Sequence, residues 1–293
     1  MRRESHEQGF GKHRRQNTMK VGLIQVDGKM PNLALMKLSA FHKKKGDQVV
    51  LVDLSTLKVD HWYGSKIFMG GSGFDLHSKL PPEVEELNPD YELYNMSKGE
   101  RIGFTSRGCI RNCGFCIVQE KEGTLHNVGF EWVNGAEKVI LLDNNFLASS
   151  LWKDKLEYFI RHETKVCFTQ GLDIRLINME NAKILSKVLY YNMRFSDRRL
   201  YFAFDDPALE QIIKEKVKLL NENGIPSNRL MFYVLVGFNT TLDQDLYRIQ
   251  ILKDLGCLPF VMVYNRKKDS TLRRLARWVN KRYYMVVFWS EFK

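Results

Sequence analysis

The chain predicts an α/β fold in two parts: a small βαβ (flavodoxin-like) domain, then a partial (β/α)6 barrel. Three observations predict it. Apolar, strand-like runs alternate with helix-period segments, the pattern of parallel βαβ units. The alternation breaks once, in a polar, proline-containing connector from Leu80 to Glu100. After the break, six strand-like runs each end in polar residues, and barrels of this kind gather their site at the carboxyl ends of the strands.

The elements follow in order. Lys20–Val26 reads as a buried strand. Pro31–Lys44 reads as a helix, with Leu33, Met36, Leu38 and Phe41 on its apolar positions and Gly46 just past its end. Gln48–Leu54 reads as a second buried strand, Lys66–Met69 as a third, and Gly70 to Asp75 as a turn. The boundary falls near residue 98, which divides the chain into a basic leader (1–18, expected to be disordered), a small α/β domain (19–97) and the barrel (98–293). In the barrel the strands are Arg101–Thr105, Lys138–Leu142, Lys165–Gln170, Arg199–Phe204, Leu230–Val236 and Leu258–Tyr264. Helices are expected at about 128–134, 150–162, 178–191, 207–223, 241–255 and 270–281. Asp206 before Pro207, Asn178, Asn239 and Thr241 are placed to cap helices.

Hydrophobic residues make up 44% of the 293, enough for a sizeable core, and no apolar run approaches the roughly 20 residues of a membrane span. The net charge of +11 is concentrated: residues 1–18 carry +3 and residues 266–282 carry +7. Such segments attract phosphate or stand solvated on a helix face. The cysteines number five, an odd count, and Met1-Arg-Arg-Glu-Ser-His carries no apolar signal region. Both points lead us to expect a reducing, cytoplasmic setting, where clustered cysteines bind metal more often than they cross-link.

Three of the five sit in one loop. Cys109, Cys113 and Cys116 follow the first barrel strand with the spacing C-x3-C-x2-C. Three thiolates hold three irons of a 4Fe–4S cubane and leave the fourth without a protein ligand. A structural zinc is the rival reading, with His126 as the fourth ligand. Cys167 and Cys257 lie in apolar runs and read as core.

The cysteine loop and the six strand ends resemble the radical S-adenosylmethionine (radical SAM) superfamily over about residues 101–265. The resemblance implies that Cys109, Cys113 and Cys116 bind the cluster and that Phe115 lies near the adenine of S-adenosylmethionine. It places Asp143-Asn144-Asn145, at the end of strand two, where the family often has Gly-Gly-Glu against the cofactor's amino group, so Asp143 and Asn144 are the candidates. Gln170 ends strand three, and Asp205, ending strand four, is the candidate for the ribose. The strand-five pattern is partial: Gly237 matches, while the family's first glycine and its glutamate are absent. The implied chemistry is oxygen-sensitive. The reduced cluster cleaves S-adenosylmethionine to methionine and a 5′-deoxyadenosyl radical, which takes hydrogen from a substrate. A separate electron donor such as flavodoxin or ferredoxin is implied too.

Residues 19–97 resemble a degenerate cobalamin-binding-like domain. Asp27-Gly-Lys-Met-Pro-Asn-Leu stands where that family has Asp-x-His-x-x-Gly, and the missing histidine argues against cobalamin. Residues 1–108 contain no cysteine and none clusters after Cys116, so one cluster is expected. The alternative is a zinc-stabilised nucleic-acid-binding protein using the same cysteines, His126 and the basic 266–282 segment. The two readings meet in an RNA-modifying enzyme, for which Trp278, Tyr283 and Tyr284 are stacking candidates.

Overall fold

The structure, a computed structural model, describes residues 18–52, 58–65, 80–264 and 269–293. Outside these lie the leader, the strand expected at Lys66–Met69, the turn from Gly70 to Asp75, and Asn265 with the start of the basic 266–282 segment. The chain divides into two compact units, 1–95 and 96–293.

The first unit is a three-stranded parallel sheet with β1 (Lys20–Gln25) between β2 (Gln48–Leu51) and β3 (His61–Ser65). Helix α1 (Leu33–Lys44) makes the crossover from β1 to β2. Asn32 caps it by accepting from Leu35 N, and His42, Lys43 and Lys44 fill its last turn, where the helix dipole favours cations. Val21, Leu23, Leu35, Leu38 and Val84 form the core. The strand His61–Ser65 ends where the segment expected from the sequence, which lies outside the described residues, begins. His-Trp-Tyr-Gly-Ser carries one polar–aromatic pattern, not an apolar run, and Trp62 finds its space over Gly22, where a Cβ would collide with the indole. The connector is also more ordered than its polarity suggests. It contains α2 (Pro82–Glu85) and a 3-10 turn (Tyr91–Tyr94), and Asp90 accepts from Ser39 Oγ at 2.6 Å and pairs with Lys43.

The second unit is built on parallel strands. One sheet has the order β4 (Glu100–Gly103), β7 (Lys138–Leu141), β8 (Lys165–Phe168), β9 (Leu189–Tyr190); another has β10 (Leu200–Ala203), β11 (Leu230–Val236), β12 (Leu258–Val263). Leu172 N donates to Tyr201 O at 2.7 Å, linking the end of β8 to β10. A two-stranded antiparallel ribbon, β5 (Ser106–Arg107) with β6 (His126–Asn127), follows β4. The helices are α3 (Val118–Glu122), α4 (Trp152–Arg161), α5 (Met179–Lys187), α6 (Glu210–Glu222), α7 (Leu242–Asp254) and α8 (Ser270–Asn280).

Local chemistry explains the boundaries. Asn178 and Asn181 form a capping box on α5, and Thr241 and Gln244 form one on α7. Asp269 caps α8, and Asp206 caps a 3-10 turn at Pro207–Leu209 that leads into α6. Asn239 instead sits at φ +49, in the left-handed region. The helix expected at 128–134 is one 3-10 turn, Glu131–Val133. The helix expected at 178–191 stops at Lys187, since Leu189 and Tyr190 pair with β8 as a short strand. Strand residues alternate between faces. Val139, Leu141, Val166, Phe168, Phe202, Phe232 and Val234 belong to the core under the helices. Their neighbours Ile140, Cys167, Tyr201 and Tyr233 therefore lie on the opposite face. Among the described residues no helix is long and apolar enough to cross a membrane.

Candidate functional site

The cysteine loop is the closed end of the β5–β6 ribbon. Gly108 starts it at φ +74 with no room for a side chain: a Cβ there would press on the carbonyls of Gly123 and Thr124. Cys109 N donates to Gly123 O at 3.3 Å, and Cys116 N donates to Cys113 O at 2.9 Å, curling the loop between the thiols. Gln119 on α3 binds the carbonyls of Cys109 and Arg111 across it. Cys109 and Cys113 are half-buried and Cys116 is exposed, all three as free thiols.

The ribbon's base is braced by a buried polar knot. Asp143, just past β7, accepts from Thr105 N at 2.7 Å, Thr105 Oγ1 at 2.6 Å and Ser106 Oγ at 2.6 Å. Lys155 on α4, fully buried, donates to Thr105 O at 2.9 Å, Asn127 Oδ1 at 3.0 Å and Ser149 Oγ at 2.8 Å. Burial pulls the Lys155 ammonium down to about 8, with Asp143 opposing. Burial pushes Asp143 up, although the hydroxyls of Ser106 and Thr105 favour its charged form.

Residues after three strands face the thiols. Cys109 Sγ accepts from Arg111 N at 3.3 Å and from Asn145 Nδ2, past β7, at 3.5 Å. Asp173, past β8, accepts from Arg111 Nε at 3.0 Å, from Arg175 Nε at 2.6 Å and from Arg175 Nη2 at 3.1 Å. Burial opposes ionisation of Asp173, but the two guanidiniums outweigh it and hold its pKa below the usual value. Burial, then the neighbouring Cys116, push the Cys113 thiol up, while Arg175 pulls it down. Asp205, past β10, is close enough to act on the same thiol and accepts from Leu235 N at 2.9 Å. No family model matches the chain. No curated protein matches it either.

The candidates named from the sequence thus separate by role. Asp143 has both oxygens engaged in the brace, and Asn144 donates to Glu122 Oε2 at 2.8 Å. The member of that run which reaches the thiols is Asn145. Phe115 meets Phe238 edge-on at 5.6 Å, and Phe238 meets Tyr264 at 4.8 Å, which joins the cysteine loop to the ends of β11 and β12. Gly237 begins that turn at φ +79. Gln170 is exposed in the turn after β8. His126 is exposed on the ribbon, opposite Arg107, and its Nδ1 lies 3.1 Å from Thr124 O. The sequence places Asn145, Asp173 and Arg175 among the polar strand ends without giving them a role of their own, and it does not mark Arg111. Asn145, Asp173 and Arg175 stand at strand ends, the one signal that marks them in the sequence.

Among the described residues no three His, Cys, Asp or Glu side chains are drawn together as a metal site. The donor chemistry nevertheless fits an iron–sulfur cluster. Three soft sulfur ligands lie within eight residues, N–H groups point at one of them, and guanidinium charge stands beside two. Asn145 Oδ1 is buried and has no partner among the described residues.

Proposed function

We propose that the chain is a radical SAM enzyme carrying a single 4Fe–4S cluster on Cys109, Cys113 and Cys116. The observation that carries this reading is convergence. The three-cysteine loop follows the first parallel strand of the second unit. Asn145, Asp173, Arg175 and Asp205 come to it from the ends of β7, β8 and β10, and Phe238 and Tyr264 follow β11 and β12. A partly closed (β/α)6 barrel would gather the ends of β4, β7, β8, β10, β11 and β12 about one loop and leave the two-residue β9 outside the set.

Bound there, the cluster supplies one iron free of protein ligands and the electron for reductive cleavage of S-adenosylmethionine. The chain's own groups do the rest. Arg111 N and Asn145 hydrogen-bond the Cys109 sulfur, which favours the reduced, more negative state. Arg175 offsets thiolate charge at Cys109 and Cys113. Asn145 Oδ1 is an acceptor for the cofactor's ammonium, and the Asp205 carboxylate is one for a ribose hydroxyl. Phe115, backed by Phe238, offers a flat apolar surface to adenine and excludes water. A reducing compartment and a low-potential donor such as flavodoxin or ferredoxin belong to this reading. Cobalamin does not, because the first unit lacks the ligand histidine.

Anaerobic reconstitution tests the reading. The expected product holds about four irons per chain and releases 5′-deoxyadenosine from S-adenosylmethionine when reduced, and Cys113→Ala loses both. One tightly held zinc with no cofactor cleavage would overturn it in favour of the zinc-stabilised alternative with His126.

A further inference from the structure

The second face of the β10–β12 sheet is apolar and, along β12, exposed. Ala203, Tyr233 and Phe260 lie side by side across the three strands, and Leu235 and Met262 pair one step nearer the strand ends. Phe260 is 36% exposed and Met262 38%, in a sheet whose other face is packed core. The rings are ordered: Tyr201 and Tyr233 stack at 5.6 Å and 12°, and Phe260 stands edge-on to Tyr233 at 6.0 Å. Tyr233 Oη is already engaged, donating to Thr169 O at 3.0 Å.

This strip continues into the cysteine site. Two residues beyond Ala203 on the same face is Asp205, which acts on Cys113. Two beyond Leu235 is Gly237, followed by Phe238 against Phe115. From Tyr201 to Met262 the face carries no lysine, arginine or histidine, and its one carboxyl, Asp205, stands at the end nearest the thiols. Among the described residues the cations that act on the strip stand off it, Arg199 on Tyr201 at one end and Arg175 on Asp205 at the other, so an anionic group laid over Tyr233 and Phe260 would give up its hydration with no partner on the face itself. A ring would gain edge and face contacts with Tyr233 and Phe260, and the Met262 thioether favours aromatic neighbours.

We propose that this strip receives an uncharged, ring-sized apolar group of the substrate, with Tyr233, Phe260 and Met262 as the specificity-determining contacts. The word substrate rests on the radical SAM reading; the binding itself needs no cluster.

The test uses the full chain, without cluster, labelled with 13C at its methionine methyls, and indole as probe. Met262→Leu assigns the resonance. The expected result is a saturable shift at Met262 with indole, none with indole-2-carboxylate, and binding weakened at least about tenfold in Phe260→Asp. A Met262 resonance that stays still, or moves no more than those of the exposed Met179 and Met193, would overturn the proposal, as would undiminished binding in Phe260→Asp. Should that variant fail to fold, Met262→Gln decides the same question, with indole read at Met231 on the same face. Iron content and cofactor cleavage are measured separately. Their loss alongside intact indole binding refutes the enzyme reading and not the strip, while the reverse pattern refutes the strip alone.

Discussion

The side-chain amide of Asn145 stands 3.5 Å from the sulfur of Cys109, while its carbonyl oxygen is buried without a partner among the described residues. The same amide nitrogen donates to Asp173 Oδ2 at 3.4 Å, and the acceptor left over is costly in a structural asparagine, since an unmet buried polar atom loses about 1–3 kcal/mol. On the proposed reading that oxygen is the acceptor for the cofactor's ammonium. Asn145→Ala is expected to fold with a melting point lowered by about 2–4 °C. It is expected to keep its iron and to show a more negative reduction potential, because a hydrogen bond to sulfur stabilises the reduced cluster. Spectroelectrochemical titration reads this directly, and an unchanged potential would remove Asn145 from the site.

Asp173 ties the cysteine loop to the end of β8 through Arg111 and Arg175. Its folded pKa is lowered, burial being outweighed by those guanidiniums. The tie therefore contributes fully above the unfolded value of about 3.9 and fades as pH falls through the lower folded one. Asp173→Asn is expected to cost about 1–3 kcal/mol at pH 7, because both arginines are about a third exposed and solvent screens the pair. In urea unfolding the gap from wild type should be wide at pH 7 and should narrow steadily as pH falls below the unfolded value. A gap that persists unchanged in acid would show that the carboxylate charge is not what holds the loop.

The Lys155 ammonium, brought to about 8 by burial, gives the same sign of pH dependence in an alkaline window. An unfolded lysine titrates near about 10.4, so between these values the unfolded chain binds more protons and folding gains with pH. The gain is at most roughly 3 kcal/mol. Lys155→Met removes it and also strands the acceptors Thr105 O, Asn127 Oδ1 and Ser149 Oγ, a loss of about 2–4 kcal/mol at pH 7. Denaturant midpoints should show the deficit of the variant growing from pH 8 to pH 10. A constant deficit would mean that Lys155 titrates as an exposed lysine does.

The parallel strands of the second unit were legible because buried strands are continuous apolar runs, as Lys138–Leu141 and Leu230–Val236 are. Capping at Asn178 and Thr241 was legible because its chemistry is local. The β5–β6 ribbon was not, since two-residue strands carry no period, and neither was His61–Ser65, where aromatic and polar residues share a strand. At the site the cysteine spacing could be read. Which of Asp143, Asn144 and Asn145 faces the thiols could not, because past a strand end no period assigns a direction. Arg111 and Asp173 lie 62 positions apart and meet only through the fold.

Gly108 offers the sharpest test of the loop, because it separates the ribbon from the chemistry. The residue stands at φ +74, where an L side chain is strained, and the space a Cβ would occupy holds the backbone carbonyls of Gly123 and Thr124. Backbone cannot swing aside as a flexible side chain does, so Gly108→Ala must open the Cys109 N–Gly123 O bond or shift β5 against β6. The expected cost is about 2–3 kcal/mol, from the left-handed strain and the lost contact together. The strand core is built from other residues, so far-UV circular dichroism should change little. The three thiols should become more reactive toward an alkylating reagent, Cys109 most of all, since it loses the loop that half-buries it. Iron uptake on reconstitution should fall with the same variant although every cysteine remains. Thiol reactivity and iron uptake both at the wild-type level would show that the three cysteines do not depend on the ribbon to come together.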